Sequence, residues 1–495
     1  MSRFTTLNNR FALCAPLFVF AILILLVTVG VVNAQVGVTQ ISTDTFTNST
    51  SQHETEVEPA SYAFGSTIVS VFQIGRFSDG GASDIGFSTS TNGGTTWTHG
   101  NLPGITKIEG TGPYDRASDT SVIYNQKFKL WLAESLALSE SGGVHGEAVL
   151  VSSSKDGITW NNPATVSIVE SGGYYDKPWI GCDNNSGSPF YGNCYVEWDD
   201  FSQGDLIQMS TSKDGGTTWS AKVKAGGGFG NGGLPMVQPN GTVIVPIDDQ
   251  FLSSTQAFKS TNGGTSWTAP VSISPISEHA VNGGMRALPE LAAQMDASGK
   301  VYVVWADCRF RSGCSSNDII MSTSTDGTTW TTPVRIPIDP VSSTVDHFTP
   351  GLVIDPATSG STAHISLTFN FFPKATCTSC SLGVGFVTSK NGGSTWSKEV
   401  VVGKGMNPNW LPSTTSGLMA GDYQTIALAG GKTHAVTPLA RPLVGSAFNM
   451  AMFTNTQGLA DVEDGPQFSS ANDKPVPNAH SDHPARTTPY HEDGK

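Results

Sequence analysis

A short phrase ending in Thr-Trp or Ser-Trp occurs six times, and it limits the possible folds more than any other feature of the chain. Its first copy reads Ser90-Thr91-Asn92-Gly93-Gly94-Thr95-Thr96-Trp97, and the others close on Trp160, Trp219, Trp267, Trp330 and Trp396. The copies ending at Trp160 and Trp330 are one residue shorter. Recurrence at about sixty residues marks an internal repeat in which each copy contributes one supersecondary unit. Each copy carries an Asp or Asn followed by Gly (Asn92, Asp156, Asp214, Asn262, Asp326, Asn391), the chemistry of a tight turn. Gly tolerates positive φ there, and the Asx side chain bonds back to turn amides.

Strand-like segments precede every phrase, at 84–89, 148–153, 206–211, 257–259, 318–323 and 385–388. A second set, often aromatic, lies upstream at 129–133, 195–198, 242–246, 301–305 and 364–369. Each phrase is therefore expected to join strands three and four of an antiparallel four-stranded sheet. Its Trp should plug the space between neighbouring sheets. Such sheets repeated around an axis make an all-β propeller, which closes on itself and leaves no long exposed edge. Further strands follow the sixth phrase at 399–402, 424–429, 433–440 and 448–453. A strand within 38–47 that completed the last sheet would make seven blades rather than six, and strand count favours seven.

Composition agrees with a turn-rich β protein: 55 Gly, 38% apolar and only 14% charged residues. With 27 basic against 41 acidic residues, the formal charge of −14 argues against a nucleic-acid partner. Residues 1–34 read as an export signal. Arg3 and Arg10 precede an apolar run over 17–32 that only Thr28 and Gly30 interrupt, and Val32-Asn33-Ala34 offers a cleavage site. An uncleaved anchor is the alternative, since 11–34 is nearly long enough to span a bilayer. Both readings put the rest of the protein outside the cytoplasm, secreted or held at the cell surface, with no other membrane insertion. Beyond the leader the cysteines form three close pairs, Cys182/Cys194, Cys308/Cys314 and Cys377/Cys380, which in an exported chain read as disulfides. Residues 35–57 form an N-terminal segment with the blade-closing strand, 58–455 hold the repeat, and the polar stretch 456–495 is expected to be a disordered tail.

The six phrases resemble the Asp-box, or BNR, repeat of the sialidase superfamily, and the resemblance covers nearly all of 58–455. Three other stretches are similar to sialidase-like, BNR-repeat glycosyl hydrolases: Asp176-Lys177-Pro178-Trp179-Ile180, Val301 through Arg309, and Gly421-Asp422-Tyr423. Asp-boxes also occur in endoglucanases and sorting receptors, so the resemblance implies the fold more directly than the activity.

Strand order separates the two ends of such a fold. The phrases share one face with the turns between strands one and two. The opposite face takes the long connections between strands two and three and between sheets, and function concentrates on long loops over a rigid scaffold. Six of the eight arginines beyond the leader (Arg76, Arg116, Arg286, Arg309, Arg311, Arg441) fall in or beside those connections. They could clamp a carboxylate, as the arginine triad of the resembled family does, or they could tie acidic loops together. The resemblance further implies a Tyr nucleophile, a Glu that activates it and an Asp acid/base. Tyr423 is the candidate nucleophile, with Tyr174 and Tyr175 as rivals. Glu290 or Glu197 is the partner, and Asp115 or Asp79 the acid. Arg76, Arg286 and Arg309 form the clamp, with Arg116 next, although the family's Arg-Ile-Pro context around the first arginine is absent.

Other chemistries find no support. There is no Gly-x-Ser-x-Gly elbow and no phosphate-binding loop in a strand–helix unit. No cofactor is expected. Asp199-Asp200 and Asp248-Asp249 could hold Ca2+, but they lack the spacing of a calcium loop. Two classes of function remain: a secreted glycoside hydrolase acting on terminal sialic acid or a related acidic sugar, and a non-catalytic propeller that binds glycan or protein on its loop-rich face.

Overall fold

The structure, a computed structural model, describes residues 36–460, 473–476 and 486. The expected leader and most of the expected tail lie outside those residues. The described part of the tail is not free of the body: Asp473 pairs with Arg335 at 3.1 Å, and the Val476 amide donates to the Arg309 carbonyl at 2.8 Å.

The described chain is all-β, with only four single-turn 3-10 segments. Its sheets follow one another in sequence order. The first holds Glu56–Phe64, Thr67–Arg76, Ala82–Ser90 and Thr98–Asn101, and the second holds Arg116–Asn125, Leu130–Ser139, His145–Ser154 and Ala164–Ile168; a single pair, Ala82 opposite Ala117, links them. Four further antiparallel sheets of four strands each begin with Tyr175–Cys182, Met236–Val237, Ala292–Met295 and Asp346–Ile354. At the C-terminus Ile426–Ala429 pairs with Lys432–Ala435, while Thr437–Ala440 pairs with Met450–Asn455. Val38–Gln40, from the other end of the chain, adds to the free edge of Met450–Asn455. The first strands of consecutive sheets lie side by side throughout, and Ile426–Ala429 neighbours both Asp346–Ile354 and Glu56–Phe64.

Burial explains why the strands form. Second strands are covered on both faces, so they read as continuous apolar runs rather than alternating ones; Val301–Asp307 is buried at every residue. The turn chemistry operates in all six phrases. In the first, the Ser90 hydroxyl donates to Asn92 Oδ1 at 3.0 Å and accepts from the Gly94 amide at 2.8 Å, and Asn92 Oδ1 accepts from the Thr96 amide at 2.9 Å. The same three bonds recur around Asp156, Asp214, Asn262, Asp326 and Asn391. Gly94 is required twice over: its φ is +82°, and a Cβ would run into the His434 ring of the C-terminal hairpin.

The phrase tryptophans pack between sheets. Trp267 sits edge-on to Phe258 of its own sheet (5.6 Å) and to Tyr195 of the preceding one (6.1 Å), and Trp160 reaches back to Phe87 (6.0 Å). The fourth strands begin after them, at Thr98 directly after Trp97 and at Val400 four residues after Trp396. All three expected disulfides are present: Cys182–Cys194, Cys308–Cys314 and Cys377–Cys380. No helix among the described residues is long and apolar enough to cross a membrane.

Candidate functional site

Residues from the first strand of each four-stranded sheet, and from Ile426–Ala429, line two adjoining cavities. The smaller spans about 620 Å3, open solvent included, and is walled by Asp119, Lys177, Trp179, Glu290, Tyr423 and their neighbours. The larger encloses about 1490 Å3, open solvent included, and reaches the turns between strands one and two at Asn185, Pro239, Ala297 and Pro356. Trp179, Met236, Gln294 and Thr425 belong to the walls of both.

A repeated backbone device supplies the polar wall. Four first strands carry a β-bulge near their start, each with one non-glycine residue at positive φ: Glu58 (56°), Asp119 (21°), Lys177 (48°) and Thr349 (46°). A bulge inserts one unpaired residue and re-aims its side chain. Three of the four precede proline (Pro59, Pro178, Pro350), which keeps them out of the right-handed helical region. Such conformations cost on the order of 1–3 kcal/mol each and gather at functional sites.

The result is a buried charge cluster centred on Lys177. Its ammonium lies 3.1 Å from Glu290 Oε1, 3.1 Å from Asp422 Oδ2 and 4.0 Å from Asp119 Oδ1. Asp422 also takes a two-pronged bond from Arg286, whose Nε lies 2.9 Å from Oδ1 and whose Nη2 lies 2.5 Å from Oδ2. The Asp422 amide donates to Glu58 Oε1 at 3.1 Å, and Gln73 bonds the other oxygen of Glu58. Arg76 completes the layer, donating to Gln73 Oε1 at 3.4 Å and to the Gly81 carbonyl at 2.8 Å.

Carboxylates outnumber cations here, and burial decides their titration. Desolvation pushes Glu58 up to about 7, with the Asp422 charge adding to it. It drives Asp119 well above the ordinary carboxylate range against the pull of Lys177, and raises Glu290, which Lys177 holds back both as a charge and as a hydrogen-bond donor. Both Asp119 oxygens are buried without a hydrogen bond. A second tier of buried acids, Glu134, Glu197 and Asp199, is raised by the same loss of water.

Four of the residues singled out from sequence, Arg76, Arg286, Glu290 and Tyr423, lie in this cluster or on its cavity. Tyr423 packs edge-on to Trp179 (5.2 Å), and its hydroxyl accepts from the Thr120 amide at 2.8 Å while burial raises its pKa well above that of a free phenol. Glu197 holds the Gly233 amide at 3.0 Å, one layer out. The others are engaged elsewhere. Asp115 pairs with Lys107 at 2.5 Å, and Arg116 with Asp79 (2.6 Å) and Glu140 (2.7 Å). Arg309 folds onto Asp307, with Nε 2.8 Å from Oδ1. Tyr174 packs on Phe201, and Tyr175 bonds Lys222. Among the described residues no arginine lines either cavity.

No protein-family model matches the chain, and no curated protein matches it in sequence. Among solved structures it is similar to the Hadza microbial sialidase Hz136 (15% identity, 64% of each chain covered, TM-score 0.44). It is also similar to a polysaccharide lyase of family PL25, an ulvan lyase (9% identity, 85% of this chain and 97% of that one, TM-score 0.50). A third is the Trypanosoma rangeli sialidase in complex with the inhibitor DANA (11% identity, 85% and 60%, TM-score 0.43). The chain thus spans less than two thirds of the length of either sialidase. The likeness to the lyase concerns the fold; the sialidases, at lower TM-scores, add nothing to it.

Asp119, Lys177 and Asp422 were not chosen from sequence as catalytic candidates, yet two stretches noted there meet in space. Lys177 and Trp179 of one contact Asp422 and Tyr423 of the other. The X-Pro pairs inside first strands were the available sign, since proline there demands a bulge. A third cluster, Asp318, Asp339 and His347, brings possible metal-ligand atoms within 4.8 Å of one another. Arg311 and Arg335 already pair with both of its carboxylates, which satisfies them as ion pairs. Of the aspartate pairs considered for Ca2+, Asp200 accepts from Ser202 (2.6 Å) and Asp249 from Ser253 and Ser254 (2.7 and 2.9 Å), as turn-forming side chains do.

Proposed function

We propose that the protein is a secreted seven-bladed propeller that hydrolyses a neutral glycan in its axial cavity, with Asp119 as acid and Glu290 as base or nucleophile. The run of first strands back to Glu56–Phe64, and the addition of Val38–Gln40 to the last sheet, support seven blades. Three disulfides support an oxidising destination. The observation that carries the chemistry is the sharing of one ammonium, Lys177, by two buried carboxyl groups on the wall of a cavity that also offers Trp179. Glycoside hydrolysis needs one carboxyl protonated and one ionised. Lys177 stands nearer Glu290 than Asp119, so it favours the charged form of Glu290, while Asp119 keeps its proton. The proton passes from Asp119 to the glycosidic oxygen as that bond breaks, and Glu290 meets the developing positive charge at the sugar carbon or activates the incoming water.

A neutral sugar fits better than the acidic one that the resemblance implies. Among the described residues Lys177 is the one cation on the wall of either cavity, and three carboxyl groups already surround it, so a ligand carboxylate would find no uncommitted positive charge there. The second reading, a propeller that binds glycan without cleaving it, draws on the engagement of Tyr423 by Thr120. A panel of neutral and acidic aryl glycosides and oligosaccharides separates the two. Turnover of a neutral substrate that Glu290→Gln lowers by roughly a hundredfold or more, with the circular dichroism unchanged, is the expected result. Binding without turnover would favour the second reading, and neither binding nor turnover would sink both.

A further inference from the structure

The residues of the charge cluster come from the loop-rich end of the sheets, yet that end is packed shut over them. The hairpin Ser413–Thr414 with Gly417–Leu418 lies across it, exchanging bonds with the Gly284 carbonyl (2.8 Å) and the Arg286 amide (2.9 Å). Gln52 binds the same hairpin through the Ser413 carbonyl (2.9 Å), and Ser78 through the Thr415 amide (3.0 Å). Beneath it the side chains of Arg286 and Asp422 have no exposure at all. No residue lining the smaller cavity is exposed. The larger cavity differs: three of its lining residues, Pro239, Ala297 and Pro356, are exposed turn residues.

We infer that the ligand reaches the Lys177 cluster from the phrase-bearing end, through the larger chamber, and that the chamber holds the remaining sugars of a neutral oligosaccharide whose terminal unit lies in the smaller cavity. This rests on the glycan reading of the axial site for its occupant, but not for its route. The chamber's chemistry suits uncharged, hydroxyl-rich chains. Asp296 is its one charged lining residue among those described, and its carboxylate is consumed by the Ser298 and Lys300 amides (2.9 and 3.1 Å) and the Tyr302 hydroxyl (3.2 Å). Gln126 and Gln294 line the space, and their side-chain amides, able to donate and accept at once, bond no described residue. At the same end of the first strands, Phe64, 40% exposed, stacks on Tyr124 at 4.2 Å and offers an aromatic surface. Gln294 stands where the two cavities join, so the route passes it.

The test uses the full exported chain with Cys14→Ser, in which the six other cysteines are paired and Gln294→Cys supplies one reduced thiol. A bulky fluorescent maleimide should label it. Adding Gln126→Trp and Asn185→Trp at the chamber mouth should slow labelling at least about tenfold, whereas Thr415→Trp on the opposite hairpin should leave the rate within about twofold. Slowing by Thr415→Trp, equal labelling in all variants, or no labelling of the parent would overturn the route. Neutral oligosaccharides should protect the thiol increasingly with length from one to four units. Absence of protection by any of them, with the labelling pattern intact, would overturn the occupant and leave the route standing. A melting curve for each variant separates blockage from unfolding.

Discussion

The same acidic side chain plays opposite parts at the two ends of these sheets. In the repeated turns, Asp326 is exposed, and the Thr329 and Thr328 amides hold its carboxyl down at about 2. Asp156 and Asp214 lie low as well, because turn amides and hydroxyls outweigh the effect of partial burial. Along the axis, Glu58, Asp119 and Glu290 are buried, and loss of water pushes them up. The three turn acids are held charged by local bonds, and the same bonds recur with a neutral Asn acceptor in the other three phrases. The axial acids are charged only where a cation from another sheet reaches them, so their state depends on partners far away in sequence. A carboxyl group's chemistry here is a property of its surroundings, and only the turn supplies its own.

The largest blow to this contrast should come from Asp422, which touches both Lys177 and Arg286. Asp422→Ala leaves two buried cations short of a partner, and should cost about 3–5 kcal/mol in denaturant unfolding. A cost below about 1 kcal/mol would mean that water already enters the cluster.

Next in size is the pH dependence. Glu56, buried beneath Ser42 and the Met452 amide, has its carboxyl raised by burial from 4.5 to about 8, with Oε1 unbonded. A folded-state pKa above the unfolded one gives stability that is complete below pH 4.5 and lost as pH rises through about 8. Glu58 has the same sign over 4.5 to about 7. The unfolding midpoint should therefore fall from pH 4.5 to 8, and Glu56→Gln should flatten part of that slope. A midpoint that rises over the same window would show that the axial acids are ionised in the fold.

This division also marks what could be read before the structure. The sheets and their turns were legible because each phrase carries its own hydrogen bonds, Ser90, Asn92 and Gly94 needing nothing from elsewhere, and the three disulfides because their cysteines lie close in sequence. The N-terminal strand was legible as a spare needed to complete the last sheet. Tryptophan packing was legible too. The axial cluster was half visible. Arg286, Glu290 and Tyr423 were found through loop position and resemblance, while Asp119 stayed hidden because nothing in its neighbourhood signals a bulge, there being no proline after it. Arg116 and Arg309 stood out as exposed-loop cations, yet Asp79, Glu140 and Asp307 lay close enough to claim them, a pairing that chain order cannot rank against a ligand.

The smallest effect tests the turn side of the comparison. Asp326 Oδ1 accepts from the Thr328 amide at 2.8 Å, the Thr329 amide at 2.7 Å and the Ser324 hydroxyl at 3.2 Å. Asp326→Ala removes all three and should cost about 1–2 kcal/mol. Asp326→Asn keeps the acceptor, as Asn92, Asn262 and Asn391 do in their own phrases, and should lie within about 0.5 kcal/mol of the parent at neutral pH. The parent and the Asn variant respond differently to acid. The parent's turn carboxyl contributes stability that is present above 3.8 and lost as pH falls through about 2, whereas the Asn variant has no such group to protonate. Its stability should decline less than the parent's between pH 4 and 2, so that the gap between them closes in acid. If Asn cost as much as Ala at neutral pH, the turn would depend on charge rather than on acceptor geometry, and the three Asn phrases would need another source of stability.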